Sequence, residues 1–289
     1  MSNSAKMIQQ AAPGLRSSEA SEASEGKGVY RLRRLKEKAN DVAVGAILPF
    51  FILIVWQAAG DLGWISTGFL PTPLRILEQF QSLLASGELS TNLAISLKRA
   101  FIGFLIGGTI GLVFGFFVGF IQKLESLLDP SFQMLRMIPH LAIAPLIILW
   151  LGFGEASKIC IIATGSFFPM YLYTFLGIRG VDQKLFEVAQ VLSFSKTKQI
   201  FRLILPASLP SVLLGLRLSV AISWLGLVVA ELIGSQQGIG FLINYGKQNS
   251  NAELIFIGVI LFAVIGKAID SFVRWLEKSW LSWRDSYQG

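Results

Sequence analysis

The sequence predicts an all-α polytopic membrane protein: about six transmembrane helices, both termini cytoplasmic, a short interfacial helix outside, and a cytoplasmic helix pair between spans four and five. Three observations predict it. Of 289 residues, 53% are hydrophobic and only 15% charged, too little charge to solvate the surface of an ordinary soluble domain. Long runs with few charges recur at Val42–Gly60, Ala100–Ile121, Phe132–Leu151, Ile159–Ile178, Leu209–Ala230 and Leu254–Val273, each near the length a bilayer demands. The basic residues between those runs also segregate. Arg31–Lys38, Lys123, the group Arg179, Lys184, Lys196, Lys198 and Arg202, and Arg274, Lys278 and Arg284 fall on one side, leaving Arg75, Lys98, Arg99, Lys158 and Lys247 on the other. Positive charge marks the cytoplasmic side, so both termini are expected there.

Residues 1–30 read as a disordered N-terminal tail, because the low-complexity run Ser17–Glu25 offers nothing to bury. Residues 31–41 form a basic cytoplasmic segment. The first long apolar run follows that segment, too far along for a signal peptide, and is expected to remain as an anchor at the start of a transmembrane domain spanning 42–289. Between the first two spans, Pro71 and Pro73 precede an amphipathic stretch, Leu74–Leu84. Its Leu74, Ile76, Leu77, Phe80, Leu83 and Leu84 suit a helix lying on the bilayer surface.

The second span carries Gly103, Gly107, Gly111, Gly115 and Gly119 at a strict four-residue interval, a smooth face that another backbone can approach closely. The fifth repeats the device with Ser211, Gly215, Ser219 and Ser223. These faces are expected to pack on each other or on a second copy.

The loop 179–209 has internal structure. Asp182 can cap a first short helix, with Leu185, Phe186, Ala189 and Leu192 in a stripe. Ser195 can cap a second, which Pro206 is expected to stop. Neither helix can cross a bilayer, so their apolar faces, flanked by Lys196, Lys198 and Arg202, must meet the span ends or a partner.

Within that loop Glu187-Val188-Ala189, Ser193, Leu203, Leu205 and Pro206 resemble the cytoplasmic "EAA" loop of ABC importer permeases: Glu-Ala-Ala, three residues, Gly, nine residues, Ile, one residue, Leu-Pro. The spacing fits throughout. Val188, Ser193 and Leu203 depart in residue type, and Ser193 matters most, because glycine would allow positive φ there whereas serine is expected to turn otherwise. The segments Trp64–Thr67, Leu70–Pro73, Ser86–Leu89, Gln133–Arg136, Pro139–Ala142 and Pro145–Trp150 are similar to nitrate/sulfonate/taurine permeases, most of all the aliphatic sulfonate branch. The resemblance implies a homodimer, two ATPase subunits docked on the loop through Glu187, Ala189, Ser193, Lys196, Leu205 and Pro206, and an extracytoplasmic binding protein. It also implies a bacterial inner or plasma membrane location and a path for a small anion.

Other classes find little support. The nearest approach to a phosphate loop, Gly152–Ile159, fails at Ser157 and Ile159, so ATP and Mg are expected on the partner ATPase and no cofactor in this chain. A single cysteine, Cys160, excludes an internal disulfide, and one histidine leaves metal or hydrolytic chemistry without a residue set. Nucleic-acid binding lacks a basic run interleaved with aromatics. A secondary transporter would need carboxylates at mid-membrane. Only Asp270 lies inside a span, where Lys267 one turn earlier can neutralise it, and Glu231 sits near the outer end of the fifth. In the third span Gln133, Arg136 and His140 fall at i, i+3 and i+7 on one helical face, the expected lining of an anion path.

Overall fold

A computed structural model of the chain describes residues 44, 45 and 47–281. The tail (1–30) and basic segment (31–41) lie outside the described residues. The chain divides into two units at Thr67 and Gly68. The first contains α1 (Ile47–Asp61), whose Ile47, Leu48, Phe50, Phe51, Ile52, Leu53 and Ile54 are exposed around its whole circumference, as suits a helix solvated by lipid. Gln57 Nε2 donates to Asp61 Oδ1 at 3.0 Å in its last turn.

The second unit contains ten helices among the described residues: α2 (Pro73–Ala85), α3 (Glu88–Phe120), α4 (Gln122–Leu135), α5 (Ala144–Leu151), α6 (Glu155–Arg179), α7 (Gln183–Val191), α8 (Lys196–Gln199), α9 (Leu205–Gly234), α10 (Ile239–Gln248) and α11 (Ala252–Trp280). No strand occurs among the described residues. Among the described residues four helices, α3, α6, α9 and α11, are long and apolar enough to cross a membrane, and the bent pair at 122–151 makes a fifth if it is one span.

The third expected span is not one helix. α4 stops at Leu135, a 3₁₀ turn occupies His140–Ile143, and α5 leaves at 80° to α4. Pro139 explains the break, because it lacks a helical donor and forces Ile138 out of the α region. Pro145 then occupies the first turn of α5, where a missing N–H costs nothing. The amphipathic stretch does form α2, with Thr72 extended before Pro73. Ile76 and Leu83 are buried while Leu74, Leu77 and Leu84 stay exposed, so the helix divides its apolar residues between the bundle and its surroundings.

α6 is the spine of the unit, with α3 and α9 packed along it. The glycine ladder of α3 is what lets it approach. A Cβ at Gly107 would lie 2.0 Å from the Ala163 carbonyl oxygen, and one at Gly111 would lie 2.4 Å from that of Phe167. Gly103, Gly115 and Gly119 face Ile162, Thr174 and Ile178 in the same way. The stripe on α9 also meets α6. Ser211 lies against Gly177, Gly215 against Tyr173, and Ser219 Oγ donates to the Ser166 carbonyl at 2.9 Å. Ser223 Oγ is buried without a hydrogen-bond partner among the described residues. The two small-residue faces therefore meet α6 rather than each other. Beyond them Trp224 anchors α11, its indole N–H donating to the Phe262 carbonyl at 3.1 Å amid Ile162, Leu227 and Ile239.

Candidate functional site

At one end of α6 the loop forms as two capped helices. Asp182 accepts from the Lys184 amide at 2.9 Å to start α7, and Ser195 from the Lys198 amide at 3.4 Å to start α8. Serine at position 193 does what glycine would have done. Its φ is +51°, its N–H reaches the Gln190 carbonyl at 2.9 Å, and the Phe194 N–H reaches that of Ala189 at 2.9 Å, a left-handed cap with both Schellman bonds.

The second helix does not end at Pro206. α8 passes through a π-helical turn at Ile200–Ile204 directly into α9, with Pro206 in that helix's first turn. The wide turn carries the helix past a residue that cannot donate. The loop thus continues without a break into a membrane-crossing helix. Ala189 is buried, whereas Glu187, Lys196 and Pro206 are exposed, and beside Glu187 the apolar Val188, Val191 and Leu192 are 55%, 85% and 58% exposed.

The break after α4 dissolves the expected polar face. Gln133 donates to Asp129 one turn back at 3.2 Å, and Asp129 also receives the Tyr171 hydroxyl at 2.7 Å. Arg136 caps the C-terminus of α4 and is exposed. His140 turns inward instead. Its Nε2 lies 3.3 Å and 3.8 Å from where Cβ atoms would stand on Gly165 and Gly226, and it is buried without a hydrogen-bond partner among the described residues. The three residues do not share one helical face.

Asp270 is not neutralised by Lys267. It accepts from Arg217 Nε of α9 at 3.2 Å and from Arg274 one turn on, fastening α11 to α9.

At the other end of α6, about 36 Å away along its 25 residues, lies a polar cluster that the span-by-span reading did not assemble. Glu231 is fully buried, with no exposed side-chain surface. It accepts from Ser96 Oγ at 2.8 Å, Arg99 Nη1 at 2.8 Å and the Gly240 amide at 2.8 Å. The Gly238 and Ile239 amides donate to Asn92 Oδ1 at 2.6 Å and Ser96 Oγ at 2.8 Å, so side chains from α3 and α9 together satisfy the first donors of α10. The turn can wrap the carboxylate this tightly because Gly238 holds φ +110°, and a Cβ there would stand 2.3 Å from Glu231 Oε1. Arg99 completes the cluster. Its Nη1 also reaches Ser235 Oγ at 3.0 Å and the Gln237 carbonyl at 2.6 Å, while Nε and Nη2 clasp Glu155. Lys158 Nζ lies 3.2 Å from the Phe153 carbonyl and 3.3 Å from Glu155. Arg99, Glu155 and Lys158 border a cavity of about 470 Å³ with Phe153, Gln236 and Gln237. A sequence signal existed: Asn92, Ser96 and Arg99 continue the Gly103–Gly119 face of α3 at intervals of four, three and four residues. Among the described residues, no cluster of three or more His, Cys, Asp or Glu could hold a metal ion.

Comparison with known proteins agrees with this architecture. The aliphatic sulfonates transport permease protein SsuC of Bacillus subtilis (strain 168) is 55% identical over 245 residues, covering 85% of this chain and 89% of that one. SsuC of Escherichia coli (strain K12) is 43% identical over 240 residues, covering 83% and 91%. A chain from the crystal structure of an amino acid ABC transporter with histidines shares the fold at TM-score 0.56 and 17% identity, covering 70% of this chain and 96% of its own. Residues 107–282, from the second glycine of the ladder to just past α11, match the family model of binding-protein-dependent transport system inner membrane components. With that match spanning more than half of a helical membrane bundle, and relatives of this identity along most of its length, the chain belongs to the family of binding-protein-dependent transport system inner membrane components.

Proposed function

We propose that this chain is the permease subunit of an ATP-driven importer in a bacterial inner or plasma membrane, forming as a homodimer the translocation path for aliphatic sulfonates. An extracytoplasmic binding protein delivers the cargo, two separate ATPase subunits bind ATP and Mg and do the hydrolysis, and both termini lie in the cytoplasm. The sulfonate assignment is supported by the SsuC relatives. Of the three polar residues first assigned to the path, His140 is the one we retain, since it alone faces the interior between α6 and α9.

One observation carries the coupling part of this reading. The loop presents Glu187 in a patch of exposed Val188, Val191 and Leu192, and its second helix is continuous with α9. Exposed apolar side chains rimmed by charge mark a partner surface. A rod that runs without interruption into a membrane-crossing helix carries a push on the loop to the path. Glu187→Arg reverses the charge at that surface. Uptake in the reconstituted complex is expected to fall by about tenfold or more while the chain still inserts and ATP is still hydrolysed. Normal uptake by a Glu187→Arg complex of intact composition would show that the loop does not couple the two events.

A further inference from the structure

The polar cluster at the end of α6 away from the loop has two unlike halves. On one side Arg99 Nη1 is fixed by the buried side chains of Glu231 and Ser235 and by the Gln237 carbonyl. On the other, Nε and Nη2 hold the two oxygens of Glu155 at 2.7 and 2.5 Å, and Lys158 Nζ lies 3.3 Å from the same carboxylate. The side chains of Arg99 and Lys158 are only 4% and 7% exposed, whereas that of Glu155 is 59% exposed. A guanidinium fork and an ammonium converging on one oxyanion form an anion receptor, held rigid from behind. Glu155 fills it as a tethered carboxylate at the first position of α6, on the rim of the 470 Å³ cavity.

We propose that Arg99 Nε and Nη2 with Lys158 Nζ form a binding subsite for the sulfonate group of the cargo, which the Glu155 carboxylate occupies when no cargo is present. The inference rests on the transport reading above. Charge supports the exchange. With Glu155 in place the two cations are balanced by Glu155 and Glu231, and when Glu155 swings into water the cluster carries one positive charge, which a monoanionic sulfonate neutralises. The buried charge is then the same with either occupant, so a monoanion is favoured over a dianion such as sulfate. Phe153 and the cavity beside it receive the organic tail. Competition from Glu155 lowers apparent affinity by the fraction of receptors it leaves open, which keeps the cargo from being held too long.

The test measures equilibrium binding of radiolabelled ethanesulfonate to the full chain, assembled with its ATPase in lipid nanodiscs and without binding protein. Glu155→Gln is expected to bind about tenfold more tightly than the wild type, the gain being larger for ethanesulfonate than for sulfate. Adding Lys158→Gln should remove that gain, and Glu155→Ala repeats the comparison with no side-chain amide to clasp Arg99. Equal affinity of the wild type and both Glu155 variants, or a gain that survives Lys158→Gln, overturns the subsite. Wild-type uptake of ethanesulfonate is measured alongside in proteoliposomes that contain the chain, its ATPase and a loaded binding protein. Uptake with unchanged binding refutes the subsite and leaves the transport reading standing, whereas absence of uptake refutes the transport reading itself.

Discussion

Replacing Glu231 by alanine is expected to lower stability by about 3–5 kcal/mol, the cost of removing one partner from a buried charge pair. Three donors converge on this carboxylate from two other helices: Ser96 and Arg99 of α3 and the Gly240 amide of α10. Alanine leaves the Gly240 N–H without an acceptor and takes from Arg99 its only fully buried anion. Glu231→Gln keeps the volume and one oxygen but turns an N–H₂ toward donors, so an intermediate loss is expected. The check is the melting temperature of the purified protein in detergent, followed by size exclusion. A Glu231→Ala variant that melts with the wild type would show that the cluster does not hold α3, α9 and α10 together.

The second large effect is expected at Gly107. A methyl there meets the Ala163 carbonyl oxygen at 2.0 Å and Ser166 Oγ at 2.2 Å, and the first is backbone that no rotamer change can move. Gly107→Val must therefore separate α3 from α6, at about 3 kcal/mol or more, with Gly107→Ala losing part of that. Hydrogen exchange should accelerate along the facing stretches of α3 and α6. Gly45→Ala, where an added Cβ meets nothing within 4 Å among the described residues, is the control. Unchanged exchange in Gly107→Val would mean that the ladder is not what brings these helices together.

Much of the fold was legible because periodicity and turn chemistry act locally. The apolar runs gave α3, α6, α9 and α11, Asp182 and Ser195 cap the helices they were expected to cap, and Pro73 opens α2. Two departures turn on where a proline sits along its helix. Pro139 breaks a span that hydropathy alone makes continuous, while Pro206 sits where a π turn carries the helix past it. Ser193 shows the same lesson for positive φ, since two backbone hydrogen bonds hold a residue other than glycine in the left-handed region.

The polar cluster was harder to read for a different reason. Asn92, Ser96, Arg99, Glu155, Lys158 and Glu231 come from three helices, with Arg99 56 residues from Glu155 and Ser96 135 residues from Glu231, and no local pattern brings those helices together. Arg99 and Lys158 were legible only as basic residues of the side poorer in positive charge, as topology and not as chemistry. Asp270 illustrates the limit directly: Lys267 is its neighbour in sequence, but Arg217 on another helix is its partner across the fold.

The central claim is that this chain conducts a sulfonate only when a separate ATPase drives it. The most direct measurement is uptake of radiolabelled ethanesulfonate into proteoliposomes that contain this chain with its ATPase and a loaded binding protein, with taurine and nitrate run in parallel. The account predicts uptake that requires hydrolysable ATP, stops with a non-hydrolysable analogue, and is greatest for the aliphatic sulfonate. Uptake that proceeds on an ion gradient with the ATPase absent would contradict it.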